Sequence, residues 1–260
     1  MYIVSSGESN IEAGNEKIVK VLNEVSEKYL RDGVEKISIP RHRFAESSNN
    51  RAVGEWILSE FREFGLTAFA QGELRNIVGL PKGGFECVRI LIGAHYDSVP
   101  KSPGADDNAS AVIGMLAAAK VLSKFDHIPV AFVAFNQEED GLLGSKDFVE
   151  NYMGQEDSSL ELVHILEMIG YCDKRSGSQH IPPGLPVKIS DKGDFIAILA
   201  NRDSNKFVSS VVKSASRYTP DLPVKALKVF LGMEKYFPHL LRSDHSPFWT
   251  KGIPAFMWTD

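Results

Sequence analysis

The stretch "VAFVAFNQEED" at residues 130–140 joins six apolar residues directly to two amides and three carboxylates. A short apolar run without alternation is typical of a strand buried on both faces, as in the parallel sheets of α/β proteins. Polar side chains that follow such a strand lie at the carboxyl edge of the sheet, where open α/β sheets bind ligands. The stretch therefore predicts a buried strand with a functional site at its end.

Similar apolar runs occur on both sides of this stretch. They lie at residues 75–80, 88–94, 162–170, 195–200 and 253–258. The Ala-rich segment 108–125 has apolar residues on one side and predicts a crossover helix between two parallel strands. Helical spacing of apolar residues within 18–29 and 53–64 predicts two amphipathic helices ahead of the sheet. The pattern predicts one α/β domain over residues 1–260, with the helices of residues 1–65 packed against its sheet.

Composition excludes several classes of partner. The 260 residues carry a formal net charge of -5 and contain no basic block, so neither nucleic acid nor an anionic membrane surface is expected as a partner. The N-terminus has no visible signal peptide, and no apolar run is long enough to cross a bilayer. Two cysteines, Cys87 and Cys172, are too few for a disulfide framework. These features predict a cytoplasmic protein; they leave its oligomeric state open.

Acidic residues and histidines cluster at the ends of the predicted strands. They are His95 and Asp97, Asp106 and Asp107, Glu138 and Glu139, Glu167, and Asp244 and His245. Carboxylates that are brought together and partly buried cannot all remain ionised unless their pKa values rise or a cation neutralises them. Two imidazoles together with carboxylates suit zinc better than magnesium or calcium. The pattern therefore favours a zinc site, and its ligand count fits two ions.

Five separated blocks, "GAHYDS", "GADDNASA", "NQEEDGLLGS", "LEMIGY" and "SDHSPFW", carry a family resemblance. In this order they resemble the zinc exopeptidases that include bacterial leucyl aminopeptidases and aminopeptidase Y, with glutamate carboxypeptidase II and glutaminyl cyclase as relatives. The resemblance spans residues 88–258. With the element pattern, it implies a three-layer αβα sandwich around a mixed, mostly parallel sheet. It also implies a further C-terminal segment, which this sequence does not contain after Asp260.

The resemblance implies a role for each matching residue. His95 and Glu167 bind the first zinc, Glu139 and His245 bind the second, and Asp107 bridges the two ions. Glu138 is the general base that activates the bridging water, and Asp97 orients the His95 imidazole. The family more often has Asp at the position of Glu167, so the longer side chain is a departure that leaves one or two zincs open.

The implied activity is removal of N-terminal residues from peptides that have a free N-terminus. Two alternatives remain open. A glutaminyl-cyclase-like acyltransferase would use a single zinc, and a non-catalytic binding module on the same fold would be marked by loss of ligands. The peptide residue preferred at the cleaved bond is left undetermined.

Overall fold

The apolar run at 130–135 forms a strand whose six residues are all buried. It belongs to a mixed sheet in the computed structural model, which describes residues 1–6, 14–153, 159–180, 184 and 186–260. The strands of these residues are β1 (Tyr2–Ser5), β2 (Thr67–Gln71), β3 (Asn76–Leu80), β4 (Ile90–His95), β5 (Val130–Phe135), β6 (Leu162–Leu166), β7 (Ile196–Ala200), β8 (Val224–Lys228) and β9 (Ala255–Thr259).

The sheet has the strand order β1-β8-β7-β9-β6-β4-β5-β3-β2. Its middle strands β5, β4, β6 and β9 run parallel, as do β7 and β8. The other four pairings are antiparallel: β1 with β8, β2 with β3, β3 with β5, and β7 with β9. Because the middle strands share one direction, their carboxyl ends meet at one edge of the sheet.

Helices cover both faces of the sheet. They are α1 (Glu16–Leu22), α2 (Glu27–Ile37), α3 (Ser47–Glu63), α4 (Ala111–Leu122), α5 (Leu143–Asp147), α6 (Asn205–Tyr218) and α7 (His245–Thr250). On one face, α2, α3 and α4 pack residues such as Ile37, Ile57 and Val112 against the sheet, and α6 packs beside β8. On the other face, residues such as Phe148 and Phe248 form a second core. The three-layer α/β arrangement is confirmed.

The outer elements differ from the sequence-based expectation. The apolar pattern of residues 18–29 predicted one helix, but the chain forms α1 and α2 with a break between Asn23 and Ser26. The N-terminal segment also contributes β1 at the sheet's edge, so residues 1–65 are not only helical. Strands β1, β2 and β8 were not predicted. Within the described residues no helix is both long and apolar enough to span a membrane.

Candidate metal centre

The loops that leave β4, β5 and β6 bring the predicted acids together. His95 is the last residue of β4, Glu138 and Glu139 follow β5, and Glu167 follows β6. Glu167 therefore lies just beyond its strand rather than inside it. Asp107 comes from a distorted helical turn, Ala105–Ser110, in which its own φ and ψ are not helical. An imidazole and several carboxylates therefore lie at one edge of the sheet.

The buried His95 imidazole is the centre of this cluster. Its Nε2 lies 3.2 Å from Asp107 Oδ1 and 3.4 Å from Glu167 Oε1. Ligand atoms of these three residues lie within 4.8 Å of one another. The Ser243 hydroxyl donates a hydrogen bond to Glu167 Oε2 at 2.7 Å and fixes that side chain. The three residues predicted for the first zinc are therefore within reach of one ion.

A second group combines His95 with Glu138 and Glu139, whose ligand atoms also meet within 4.8 Å. Glu138 Oε2 lies 4.0 Å from His95 Nε2, and its side chain is only 10% exposed. Glu139 Oε1 accepts a hydrogen bond from the backbone N–H of Val99 at 3.1 Å. The paired glutamates after β5 face the same crevice as the first group, at the place where a second ion and a base were predicted.

Asp97 contacts two parts of the site, the His95 imidazole and the turn after β5, and fixes their relative position. Its Oδ1 lies 3.3 Å from His95 Nδ1. Its two oxygens also accept the backbone N–H groups of Glu138 and Glu139, each at 3.2 Å. One fully buried carboxylate thereby links the imidazole at the end of β4 to the turn after β5. This geometry fits the orienting role predicted for Asp97 and adds a second role that the sequence did not indicate.

His245 is not brought to the cluster. It belongs to neither group of possible metal ligands among the described residues. Its Nε2 lies 2.8 Å from the Leu240 carbonyl oxygen, and its ring packs edge-on against Trp249 at 4.4 Å. Burial lowers the pKa of His245 to about 4, so the ring is neutral. The other ring nitrogen, Nδ1, is buried and has no hydrogen-bond partner in the described residues, so His245 stays a predicted ligand of the second zinc.

The preceding residue, Asp244, is a member of the site that the sequence analysis did not assign. It is fully buried, and neither of its oxygens has a hydrogen-bond partner in the described part of the chain. Burial raises the pKa of Asp244 to about 7; the charge of His95 opposes this effect and that of Glu167 adds to it. The "SDH" motif thus places its aspartate close to the charges of the cluster.

Buried asparagines position the turn after β5. Asn136 Nδ2 donates to the Leu74 carbonyl oxygen, and Asn136 exchanges side-chain hydrogen bonds with Asn50. The Asn136 backbone N–H donates to Asn76 Oδ1 at 3.1 Å. Asp140 at the end of this turn is exposed, and its Oδ1 lies 3.2 Å from His42 Nε2 in the segment before α3.

When no cation is bound, several side chains of the cluster have raised pKa values and therefore hold protons more tightly. Burial raises the pKa of Glu138 to about 9, and the nearby Asp244 and Glu167 add to this effect. Burial also raises the pKa of Glu139 to about 7, with Asp107 contributing. Burial alone would lower the pKa of His95, but the surrounding carboxylates outweigh it and hold that pKa well above its usual range.

The residues present fit a divalent cation. Buried polar atoms without a hydrogen-bond partner in the described residues include Asp107 Oδ1, both oxygens of Asp244 and His245 Nδ1. A buried, unpartnered polar atom costs roughly 1–3 kcal/mol, and more when it is charged. An imidazole with carboxylates is a donor set that zinc accepts. A cation in the crevice would therefore remove an electrostatic cost that the protein alone leaves uncompensated.

We predict that the metal-free protein loses stability as the pH rises from about 7 to 9. In this window folded Glu138, with its pKa raised to about 9, keeps a proton that the unfolded chain has released, so the free energy of unfolding falls with pH. His164 and His245, whose pKa values burial lowers to about 4, affect the slope only below the unfolded histidine pKa of about 6.5. Urea unfolding of metal-free protein at pH 7, 8 and 9 measures the slope.

Two controls accompany this measurement. Glu138→Gln should lose part of the slope, since His95, whose pKa is also raised, supplies the rest, and saturating zinc should flatten it because the cation replaces the protons. A metal-free stability that stays constant or rises over the same pH window would show that Glu138 does not hold its proton in the folded state.

Comparison with known proteins places the chain in a family. Residues 76–259 match the model of peptidase family M28. Uncharacterized protein YfbL of Escherichia coli is 35% identical over 202 residues, which cover 73% of this chain and 60% of YfbL. Aminopeptidase YwaD of Bacillus subtilis is 40% identical over 108 residues, which cover 40% of this chain and 24% of YwaD. The chain thus matches well under two thirds of the length of these relatives.

Solved structures agree on the fold. The LapA aminopeptidase of Legionella pneumophila superposes over 97% of this chain and 66% of its own, with a TM-score of 0.69 and 20% identity. The zinc aminopeptidase BSAP of Bacillus subtilis covers 71% of this chain and 39% of its own, with a TM-score of 0.52 and 26% identity. Glutaminyl cyclase of Porphyromonas gingivalis covers 90% of this chain and 83% of its own, with a TM-score of 0.60 and 19% identity.

The matched region contains every strand that carries the cluster, from β4 through β6 to β9. Because the family model covers well over half of the sequence, the chain belongs to peptidase family M28.

Proposed function

We propose that the protein is a zinc aminopeptidase that removes N-terminal residues from peptides. The observation that carries the proposal is the convergence of His95, Asp107 and Glu167 on one point, with the buried Glu138 carboxyl beside them. Relatives and solved structures named as aminopeptidases support the reaction class. When bound, zinc supplies the Lewis-acid charge that peptide hydrolysis requires.

The protein's own residues have separate roles in ion binding, orientation and proton transfer. His95, Asp107 and Glu167 would hold the first ion, and Asp97 and Ser243 fix the orientation of two of these side chains. Glu138 accepts a proton from the attacking water and delivers it to the departing amine. Its pKa of about 9 belongs to the metal-free protein; a nearby cation would lower it, so that the carboxylate is ionised and can accept a proton near neutral pH.

A second ion would be held by Glu139 and Asp107. In the described residues the only imidazole near Glu139 is that of His95, which also belongs to the first group of ligands. Because the two sites would share this donor, we expect the second ion to bind more weakly than the first.

A mainly apolar cavity of about 210 Å³ lies at the end of the sheet formed by β7, β8 and β9. Its lining includes Val187, Leu227, Leu240 and Thr259, together with the charged side chains of Lys225 and Asp260. Two lining residues are close in sequence to residues that contact Glu167. Leu240 is three residues from Ser243, whose hydroxyl donates to the Glu167 side chain. Thr259 follows Trp258, whose carbonyl oxygen accepts the Glu167 backbone N–H. We propose that the side chain of the substrate's first residue enters this cavity, which favours apolar residues.

Glu138→Gln should lower kcat by about 10² to 10⁴ because the amide cannot accept the proton. Zinc content should stay at the wild-type level, since the first ion is held by other side chains. Rates with an aminoacyl anilide and metal analysis of the same sample measure both quantities. Glu150→Gln, the same change at an exposed position, is the matched control. A Glu138→Gln enzyme that retains wild-type turnover would remove Glu138 from the reaction.

Peptides with a free N-terminus should be cleaved, and the same peptides with an acetylated N-terminus should not. A chelator should abolish cleavage, and zinc should restore it. Mass spectrometry of the products identifies the bond that is cut. Cleavage that a chelator leaves unchanged would contradict a metal mechanism, and cyclisation of N-terminal glutamine without hydrolysis would indicate the acyltransferase instead.

Substrates with Leu or Met at the first position should be cleaved at least tenfold faster than those with Glu or Lys. An apolar cavity gains about 1–3 kcal/mol from each well-placed methylene group and disfavours a buried charge. A panel of aminoacyl anilides compared by kcat/KM measures the preference. Faster cleavage of charged first residues would show that the side chain binds elsewhere.

A further inference from the structure

A fully buried arginine lies behind the metal centre. Arg41 is the largest fully buried side chain of the described residues, and it stands in a loop just before α3. In the described residues its guanidinium donates hydrogen bonds to backbone carbonyl oxygens rather than to carboxylates. An arginine is normally buried in order to pair with an acid. The use of Arg41 to bind backbone therefore needs an explanation.

Three of the five carbonyls that Arg41 binds follow His95 or precede Asp107, and the other two, of Ile37 and Ile39, lie just before Arg41 itself. Nε donates to the Tyr96 carbonyl oxygen at 2.7 Å, directly after His95. Nη2 donates to the Gly104 carbonyl oxygen at 2.9 Å, and Nη1 donates to that of Pro103, shortly before Asp107. The planar guanidinium spans both loops at once, as its rigid fork of donors allows.

The backbone of Arg41 is tied to the same region. Its N–H donates to Ser98 Oγ at 3.1 Å. Its carbonyl oxygen accepts from Asn50 Nδ2 at 2.9 Å, and Asn50 Nδ2 also donates to Asn136 Oδ1 at the end of β5. Arg41 is thus connected to the loops after β4 and β5 and to the turn before Asp107.

The charge of Arg41 complements the acids. Burial lowers the pKa of Arg41 to about 10, while Asp97, Asp107 and Glu139 act in the opposite direction, so the guanidinium stays charged at neutral pH. Its charge also helps to lower the pKa of Asp107. A permanent cation next to these carboxylates reduces their mutual repulsion before any metal ion binds.

We propose that Arg41 is a positioning residue that fixes the distance between His95 and Asp107 and thereby prepares the centre for its first zinc ion. The inference rests on the proposed metal centre but not on the identity of the substrate. Outer residues that orient metal ligands typically contribute about 10- to 100-fold to metal affinity. Arg41 acts through the backbone of the loops, and it touches neither ligand side chain nor substrate.

Arg41→Lys tests the proposal because it keeps the charge and removes the fork. A lysine has three donors on one nitrogen and cannot span both loops. We expect zinc affinity, measured by competition with a chromophoric chelator, to fall about 10- to 100-fold. Amide hydrogen exchange of residues 96–107 in the metal-free protein should become faster, while exchange in α6 should stay unchanged. Activity should recover at higher zinc concentration.

Two controls separate positioning from a general loss of stability. Arg62→Lys is the same change at an exposed arginine that also binds a backbone carbonyl, that of Ala68, and it should leave zinc affinity unchanged. Val212→Ala destabilises the core beneath α6, far along the sheet from the metal loops, and should lower stability without weakening zinc binding.

Gly104→Ala is a second variant, which disturbs the contact between Arg41 and the loop before Asp107 by changing the loop instead of the arginine. Gly104 has a φ of +53°, and an added Cβ would lie 2.3 Å from the Asp107 carbonyl oxygen and 3.1 Å from Arg41 Nη1. It should weaken zinc binding as Arg41→Lys does, and it replaces that variant if Arg41→Lys fails to fold. Wild-type zinc affinity and unchanged exchange at residues 96–107 in the folded variant would overturn the inference. A wild-type protein that binds no zinc would overturn the proposed metal centre, whereas the exchange measurement would still decide the role of Arg41.

Discussion

The structure depends on one electrostatic constraint, the gathering of carboxylates around the buried His95 imidazole. Asp97, Asp107, Glu138 and Glu167 approach this ring from four different segments of the chain. Such a cluster is costly when it carries only negative charge, and the folded protein compensates in part by holding protons on Glu138 and near His95. A divalent cation offers a fuller compensation, and the donor atoms already lie close enough together to share one.

The fold brings these residues together through the parallel strands at its centre. Strands β4, β5 and β6 end at the same edge of the sheet, so that short loops are sufficient to place their terminal side chains in one crevice. Hydrogen bonds to buried polar groups hold these loops in place, rather than the local conformational preferences of the loop residues. Gly144 shows how tight this packing is, since a Cβ there would lie 2.2 Å from the Asn136 carbonyl oxygen. The turn that carries Glu138 therefore has little freedom to move.

Sequence reasoning succeeded where hydrophobic pattern and strand direction decide the outcome. The run at 130–135 predicted β5 to the residue, and the acids after β4, β5 and β6 meet because parallel strands place them at one edge. It was incomplete where the path of the chain decides which side chain approaches the cluster. The "SDH" motif contains two candidate ligands, and only the path into α7 places Asp244 close to the charges and packs His245 on Trp249. Arg41 was missed because a loop arginine is usually exposed, and no local pattern indicates that two distant loops will close around it.

The most direct test of the account is anomalous diffraction at the zinc edge from crystals of the protein grown with zinc. We predict a strong anomalous peak within bonding distance of His95 Nε2, Asp107 and Glu167, with a weaker peak near Glu139. Crystals that contain zinc in solution but show no peak among these side chains would contradict the claim that a cation neutralises the cluster.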